Sequence, residues 1–386
     1  MKNIKKNKIC SRCVLEDNFW THLTFDKKGV CNNCTSFQEL AHKTIFRSAS
    51  VKKKILLKKI QKIKKSRTGS YDCILGLSGG LDSSYLAYMA HKWGLHPLVV
   101  HFDNGWNSEI AVKNIHSIVK KYGFELFTYV IDWEEYKDIQ RAYFKASVID
   151  IEVPCDHFIY ATLYELAAKH HIRYILDGNN IASEFWGGTW KCSFPKLDLI
   201  NLLNIHKRFG TVKLHTYPKL GFFQRVYYQN ILGIQNVYLL NYIEYNQKKV
   251  KNLLKNEIGW KDYGGKHYES IFTRFYQGYI LPIKFSVDKR MIHLSNLIWS
   301  GQITRKEALK VLRKPPYPLK DQKTDKSYVL KKIGFTEKEF EKIMKMPMVP
   351  HETYGTEDQK YSLIISVLKK IMHFVRIFKN SLSPSQ

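Results

Sequence analysis

The segment LGLSGGLDSSYLAYMA, residues 75–90, decides how the chain is read. An apolar run ends, two glycines follow, then an acid among hydroxyls, and a second apolar run begins. YDCILGLS (71–78) has the character of a buried strand, and residues 81–94 that of a helix stopped by Gly94. A glycine turn that leads from a strand into a helix start gathers backbone N–H groups on an anion, and the helix dipole adds to their pull. Gly79 and Gly80 permit close backbone approach; Ser78, Ser83 and Ser84 add hydroxyl donors, and Asp82 opens the helix. The lysine of a Walker-type phosphate loop is missing, and the three-glycine spacing of dinucleotide-binding loops is not there.

Further strands are expected at HPLVVHF (96–102), ELFTYVI (125–131) and IRYILDG (172–178), with helices over 107–122, around 133–146 and over 155–171. This alternation predicts an α/β fold: a doubly wound parallel sheet covered on both faces. Such sheets bind ligands at the carboxyl ends of their strands. There VVHFDNGW places Asp103 and Asn104, and LDGNNIASE places Asp177, Gly178, Asn179, Asn180 and Glu184. Asn, Asp and Gly also favour turns for their own sake, so it is the convergence of three polar strand ends that carries the argument.

Four stretches follow from the pattern: a cysteine-bearing module (1–45), a basic linker helix (46–70), the ligand-binding α/β domain (71–186) and a mostly helical region (187–386). Thr304 with Glu307, and Thr336 with Glu339, have capping-box spacing within the last. The 386 residues are 44% hydrophobic and 25% charged, as in soluble globular proteins, and no run has the length of a membrane span. The N-terminus lacks the apolar core of a secretory signal, so a cytoplasmic protein is expected. Lys plus Arg is 62 against 34 Asp plus Glu, a net charge of +28 that attracts polyanions: nucleic acid, a phosphorylated substrate or an anionic membrane surface. SVKKKILLKKIQKIKKSR (50–67) reads as an amphipathic helix whose lysines form either a solvated or a binding face. LIISVLKKIMHFVRIFKNS (363–381) reads either as a helix packed on the core or as a basic helix lying on a membrane.

Cys10 and Cys13, then seventeen residues, then Cys31 and Cys34, make two CxxC knuckles. Without a secretion signal this spacing indicates metal binding rather than disulfides. Two knuckles supply four thiolates to a closed tetrahedral site, which suits structural Zn2+; an iron–sulfur cluster is the alternative. With so few apolar residues, 1–45 is expected to need its metal to fold.

The motif SGGLDSS resembles the PP-loop of the ATP pyrophosphatase superfamily, which has the adenine nucleotide alpha-hydrolase (HUP-like) fold and cleaves ATP to AMP and pyrophosphate. The resemblance implies that Ser78, Gly79, Gly80, Asp82, Ser83 and Ser84 hold pyrophosphate. It implies that Asp103 and Asn104 help hold adenosine, that 177–184 forms a second nucleotide and metal segment, and that Mg2+ is held by Asp82, Asp177 or Glu184. More of the chain, from ICSRCVLEDNFWTHLTFDKKGVCNNC to FYQGYILPIKFSVDKRMIHLSNLIWSGQITRKEALKVLRKPPY (275–317), resembles the N-acetyl sugar amidotransferases of bacterial surface-polysaccharide (LPS O-antigen) and nonulosonic-acid biosynthesis. This resemblance spans most of residues 8–350. It implies conversion of an acetamido group on an amino sugar or sugar nucleotide to an acetamidino group. It also implies ammonia from a separate glutaminase pair resembling the subunits of imidazole glycerol phosphate synthase. Within the distal block, Lys284 and Arg290 are candidates to stabilise phosphate, with Asp288 orienting Arg290; the alternative is a surface pair. Tyr276 and Gln277, with Asp156 and His157 at a helix start, are candidates for substrate contact, although a lone histidine is commonly structural.

No glutaminase is expected within the chain, since Lys2 stands where an N-terminal glutaminase would have its cysteine, and Cys73, Cys155 and Cys192 lie in no nucleophile elbow. A tRNA-modifying enzyme of the thiolation type is the rival reading, sharing the loop, the knuckles and the basic charge; nucleic acid is therefore the weaker partner, and not one that charge rules out. A PP-loop scaffold without catalysis is the other.

Overall fold

The computed structural model describes residues 8–18, 22–187, 192–364 and 366–367. One sheet forms the centre, from β1 (Cys73–Gly76), β2 (Pro97–Asp103), β3 (Leu126–Val130), β4 (Tyr174–Leu176) and β5 (Gln235–Val237). Its order is β3-β2-β1-β4-β5 and every pair is parallel. The chain steps outward from β1 to β3, then returns to the other side of β1. That reversal opens a crevice between the carboxyl ends of β1 and β4, where parallel sheets bind ligands. The loops at 77–80 and 177–180 leave the sheet there.

Helices α1 (Asn32–Lys43) and α2 (Ala49–Lys65) precede the sheet; α3 (Leu81–Lys92), α4 (Glu109–Tyr122), α5 (Trp133–Ala146) and α6 (Val153–Lys169) connect β1 to β4. Successive residues of β1 point to opposite faces. Ile74 joins Leu98, Val100 and Phe158 in one layer, whereas Cys73 and Leu75 join Leu86, Ala87 and Ile115 in the other. The α2 segment is no spacer: Leu56, Ile60 and Ile63 are buried in that second layer. Its Lys53, Lys54, Lys58, Lys62, Lys64 and Lys65 face outward.

Among its described residues, the region from 187 onward is mostly helical, with β5 as the one strand. β5 extends the sheet from within it, Tyr174 pairing with Gln235 and Leu176 with Val237. Gln-Asn-Val shows neither alternation nor a β-branched run, so backbone pairing at the sheet edge makes this a strand, not local preference. Both capping boxes form, at Thr304 and Thr336. Among the described residues no helix is long and apolar enough to cross a membrane. Of the basic segment 363–381, only 363, 364, 366 and 367 lie within the described residues.

The four knuckle cysteines are fully buried, and their sulfurs stand 3.6–3.7 Å apart where contacts are resolved. A tetrahedron with Zn–S bonds of about 2.3 Å needs edges of about 3.8 Å, so the set fits zinc. Backbone N–H groups of Arg12, Cys13 and Cys31 donate to Cys10 Sγ, and Trp299 Nε1 donates to Cys34 Sγ at 3.0 Å. Arg305 reaches in from the far end of the sequence, giving Nε to the Cys13 carbonyl (2.9 Å) and Nη2 to the Cys10 carbonyl (3.0 Å). Phe37 of α1 stacks on Trp299 with centroids 5.3 Å apart. The module is thus clamped onto the helix Arg290–Trp299. Arg305→Ala is expected to cost about 2 kcal/mol, since two carbonyls lose charged donors, and to hasten zinc release to a chelator. Denaturant midpoints and a colorimetric zinc assay would show both effects.

Candidate functional site

Gly79 has φ +76°, and a Cβ there would stand 2.3 Å from the Ala111 carbonyl oxygen of α4. Only glycine suits both the backbone and the contact. Its own carbonyl accepts from Asn114 Nδ2 (3.2 Å) and Trp260 Nε1 (3.1 Å). Leu81 N–H donates to the Tyr263 hydroxyl at 3.0 Å, and Ser78 Oγ lies 3.1 Å from Ser83 Oγ. At Gly178 a Cβ would be 3.3 Å from Ser83 N, so the two strand-end loops touch.

These loops form one wall of a cavity of about 800 Å³, toward the top of the roughly 300–1,000 Å³ usual for small-molecule sites. Ser78, Gly80, Asp82, Ser83, Asp177, Gly178, Asn179 and Glu184 line it. The cavity is also lined by 262–269, which bonds the loop directly through Tyr263 and Lys266, and by Gln277, Lys289, Arg290 and His293, with Lys310 of the helix Arg305–Leu312 and Lys314 after it. Gln277 lies in a π-helical turn, Tyr276–Ile280; such widened turns are frequent at functional sites. Its Nε2 donates to Glu152 at 3.1 Å.

The floor is a charged cluster. Lys266 Nζ sits 2.6 Å from Asp82 Oδ2 and 2.9 Å from Glu184 Oε1. His267 Nε2 lies 3.3 Å from the same Glu184 oxygen. Tyr245 donates its hydroxyl to Asp82, and Asn180 Nδ2 lies 3.3 Å from it. Burial opposes the charge on Glu184, yet the Lys266 ammonium and His267 overcome it and hold the carboxyl well below its usual range. Lys266 is held up by its two carboxylates against the effect of burial. Asp177 has no such cation: burial pushes it up to about 6, and nearby Glu184 adds to the rise. His293 borders the cavity with neither ring nitrogen bonded, and burial drives its pKa down.

Asp82 and Glu184 fit a divalent cation, because one oxygen of each converges on a single positive centre, the Lys266 ammonium. Asp177 does not join them. Among the described residues, the four knuckle cysteines are the one group of three or more His, Cys, Asp or Glu whose donor atoms all lie within 4.8 Å.

Several candidates stand elsewhere. Ser84 is fully buried and does not line the cavity. Asp103 accepts from Gly105 N within its own turn (3.0 Å). Asn104 is buried between Cys155 Sγ and Trp106 N, so neither reaches the cavity wall. Lys284 caps the last carbonyls of the helix Glu337–Lys345, bonding those of Ile343 and Met346, and it does not line the cavity. Tyr276 is buried with its hydroxyl on the Ile149 carbonyl, 2.6 Å. His157 Nε2 accepts from Leu220 N (3.1 Å), which leaves Nδ1 to donate to the Lys196 carbonyl (3.0 Å). Burial pulls it down to about 4, a neutral structural histidine. Asp156 pairs with Lys196 at 3.0 Å. Asp288 does grip Arg290, through Nε (3.0 Å) and Nη2 (2.6 Å), while Arg290 Nη1 reaches the Lys314 carbonyl.

Sequence reasoning missed Tyr245, Trp260, Tyr263, Lys266, His267, Glu269, Lys289 and His293. The run YGGKHYE (263–269), a glycine pair among aromatic and charged residues, was the available signal.

Residues 269–371 match the family model described as LPS biosynthesis protein WbpG-like, C-terminal domain. This WbpG-like segment supplies Gln277, Lys289, Arg290 and His293 to the cavity wall. No curated protein matches the chain. Among solved structures, it is similar to NMN synthetase from Francisella tularensis (15% identity, 79% of this chain and 99% of that one, TM-score 0.33). It is also similar to NH3-dependent NAD synthetase from Campylobacter jejuni subsp. jejuni NCTC 11168 in complex with the nitrate ion (15%, 55% and 94%, 0.30). A third is a predicted subunit of tRNA methyltransferase from Methanocaldococcus jannaschii DSM (18%, 47% and 75%, 0.27).

Two outcomes follow. Gly79→Ala is expected to destabilise the protein by about 2 kcal/mol or more through backbone strain and the clash with Ala111, read as a lower denaturant midpoint. Asp177 has a folded pKa above its unfolded value, so its burial costs stability above about pH 6 and costs nothing below both values. Asp177→Asn is therefore expected to raise the melting temperature at pH 8, with the increment vanishing as pH falls to about 4.

Proposed function

We propose that the protein is an ATP-dependent, AMP-forming amidotransferase that converts an acetamido group of an amino sugar or sugar nucleotide to an acetamidino group, in the biosynthesis of LPS or a related surface polysaccharide. The observation that carries the reading is the shared cavity, lined both by the SGGLDSS loop and by the WbpG-like segment. The loop that would hold nucleotide and the segment that would choose the acceptor both line the same space.

The chemistry suits these residues. An amide carbonyl is a poor electrophile. Its oxygen attacks the α-phosphorus of ATP, and pyrophosphate departs toward residues 78–83. Ammonia adds to the resulting imidate carbon, AMP leaves with the former amide oxygen, and the amidine remains. Phosphoryl chemistry of this kind asks the protein mainly for positioning and charge stabilisation. Asp82 and Glu184 would hold Mg2+, which would offset phosphate charge. Lys289 and Arg290 offer cations on the acceptor side, and Asp288 keeps Arg290 in its orientation.

Burial pushes the thiols of Cys155 and Cys192 up to about 12 and raises that of Cys73, so none is a ready thiolate at neutral pH. That supports a separate glutaminase as the source of ammonia and weighs against a thiolation enzyme. The test is incubation with ATP, Mg2+, ammonium and a panel of acetamido sugar nucleotides. A product lighter by one mass unit, with acetamido 18O recovered in AMP, is expected. AMP release that depends on tRNA and on no sugar would overturn the reading.

A further inference from the structure

The Asp82–Lys266–Glu184 cluster raises a question of charge. In the free protein the two carboxylates are already answered by a lysine that is itself 15% exposed. Its ammonium lies where their oxygens converge, 2.6 and 2.9 Å away, and a third weak contact runs to Ser183 Oγ at 3.4 Å. His267 faces the same Glu184 oxygen at 3.3 Å, while Tyr245 and Asn180 bond Asp82. A dication added beside Lys266 would leave two carboxylates facing three positive charges in a shielded site, where like-charge repulsion is poorly screened. ATP changes that balance, because its polyphosphate supplies enough negative charge for both the metal and the displaced ammonium.

The backbone on either side of the lysine takes unusual conformations. Gly264 has φ +96° and open space around it, and His267 holds φ +63°, a conformation uncommon for a residue with a side chain.

We propose that Lys266 is a built-in placeholder for the divalent cation: it occupies the Asp82–Glu184 pair in the free protein and yields it only to a metal ion that arrives with nucleotide. Lys266 is a positioning residue in this account. It bridges and orients the carboxylates before substrate binds, and it makes metal binding conditional on ATP. The inference rests on the ATP and magnesium part of the proposed function and is independent of the sugar, so a failed sugar assay would leave it standing.

Zinc-loaded, full-length protein is titrated with Mn2+ as the probe, free ion being read by electron paramagnetic resonance, with and without α,β-methylene-ATP. Wild type and Lys266→Arg are expected to bind Mn2+ weakly alone and well with the analogue. Lys266→Met and Lys266→Gln, which remove the charge, are expected to bind Mn2+ without nucleotide at least about tenfold more tightly than wild type. Adding Glu184→Gln to either should abolish the gain. Circular dichroism establishes that the variants are folded. Folded Met and Gln variants with no gain would overturn the proposal, as would a gain of the same size in Lys266→Arg. The wild-type titration decides by itself as well: Mn2+ binding that is equally tight with and without the analogue would also overturn it.

Discussion

The carbonyl of Gly79 accepts two hydrogen bonds, from Asn114 and Trp260, and the Ala111 carbonyl leaves no room there for a Cβ. Much of the site depends on that contact. It sets the turn between β1 and α3, and so the direction of the α3 N-terminus and the place of Asp82. Trp260 also anchors the start of the 260–269 segment, which carries Tyr263, Lys266 and His267 over the loop. A side chain at position 79 would push the loop off α4 and loosen the anchor on that segment together.

A second constraint is the clamp between the two ends of the chain. Arg305 and Trp299 bond the cysteine module directly, and the helix that carries Trp299 begins with Arg290 and presents His293 to the cavity. The cysteine module is therefore joined through one helix to residues that line the cavity. A closed four-sulfur site has no open position for chemistry, and its work here is mechanical.

The loop sequence SGGLDSS was legible because its chemistry is local: glycine for a positive φ, hydroxyls and a helix start for an anion. The parallel sheet was legible because its strands and helices alternate with strong periodicity. Placements that need a third dimension were not. Lys284 and Arg290 lie six residues apart on a stretch that reads as a single basic motif. One caps a distant helix and the other faces the cavity, because a helix ends between them at Phe285 and a new one begins at Arg290. Asp103 and Asn104 sit at the expected strand end, but their side chains satisfy their own turn.

The sequence by itself determined the glycine turn between strand and helix, the paired cysteine knuckles and the fold class, because each rests on neighbours along the chain or on a regular period. Only the tertiary structure decided what faces the loop. Asp82 meets Lys266 across 184 positions, and the knuckle carbonyls meet Arg305 across more than 290. Such contacts depend on how the layers pack and on which carboxylate is left to answer a buried charge, and neither is written in any local pattern.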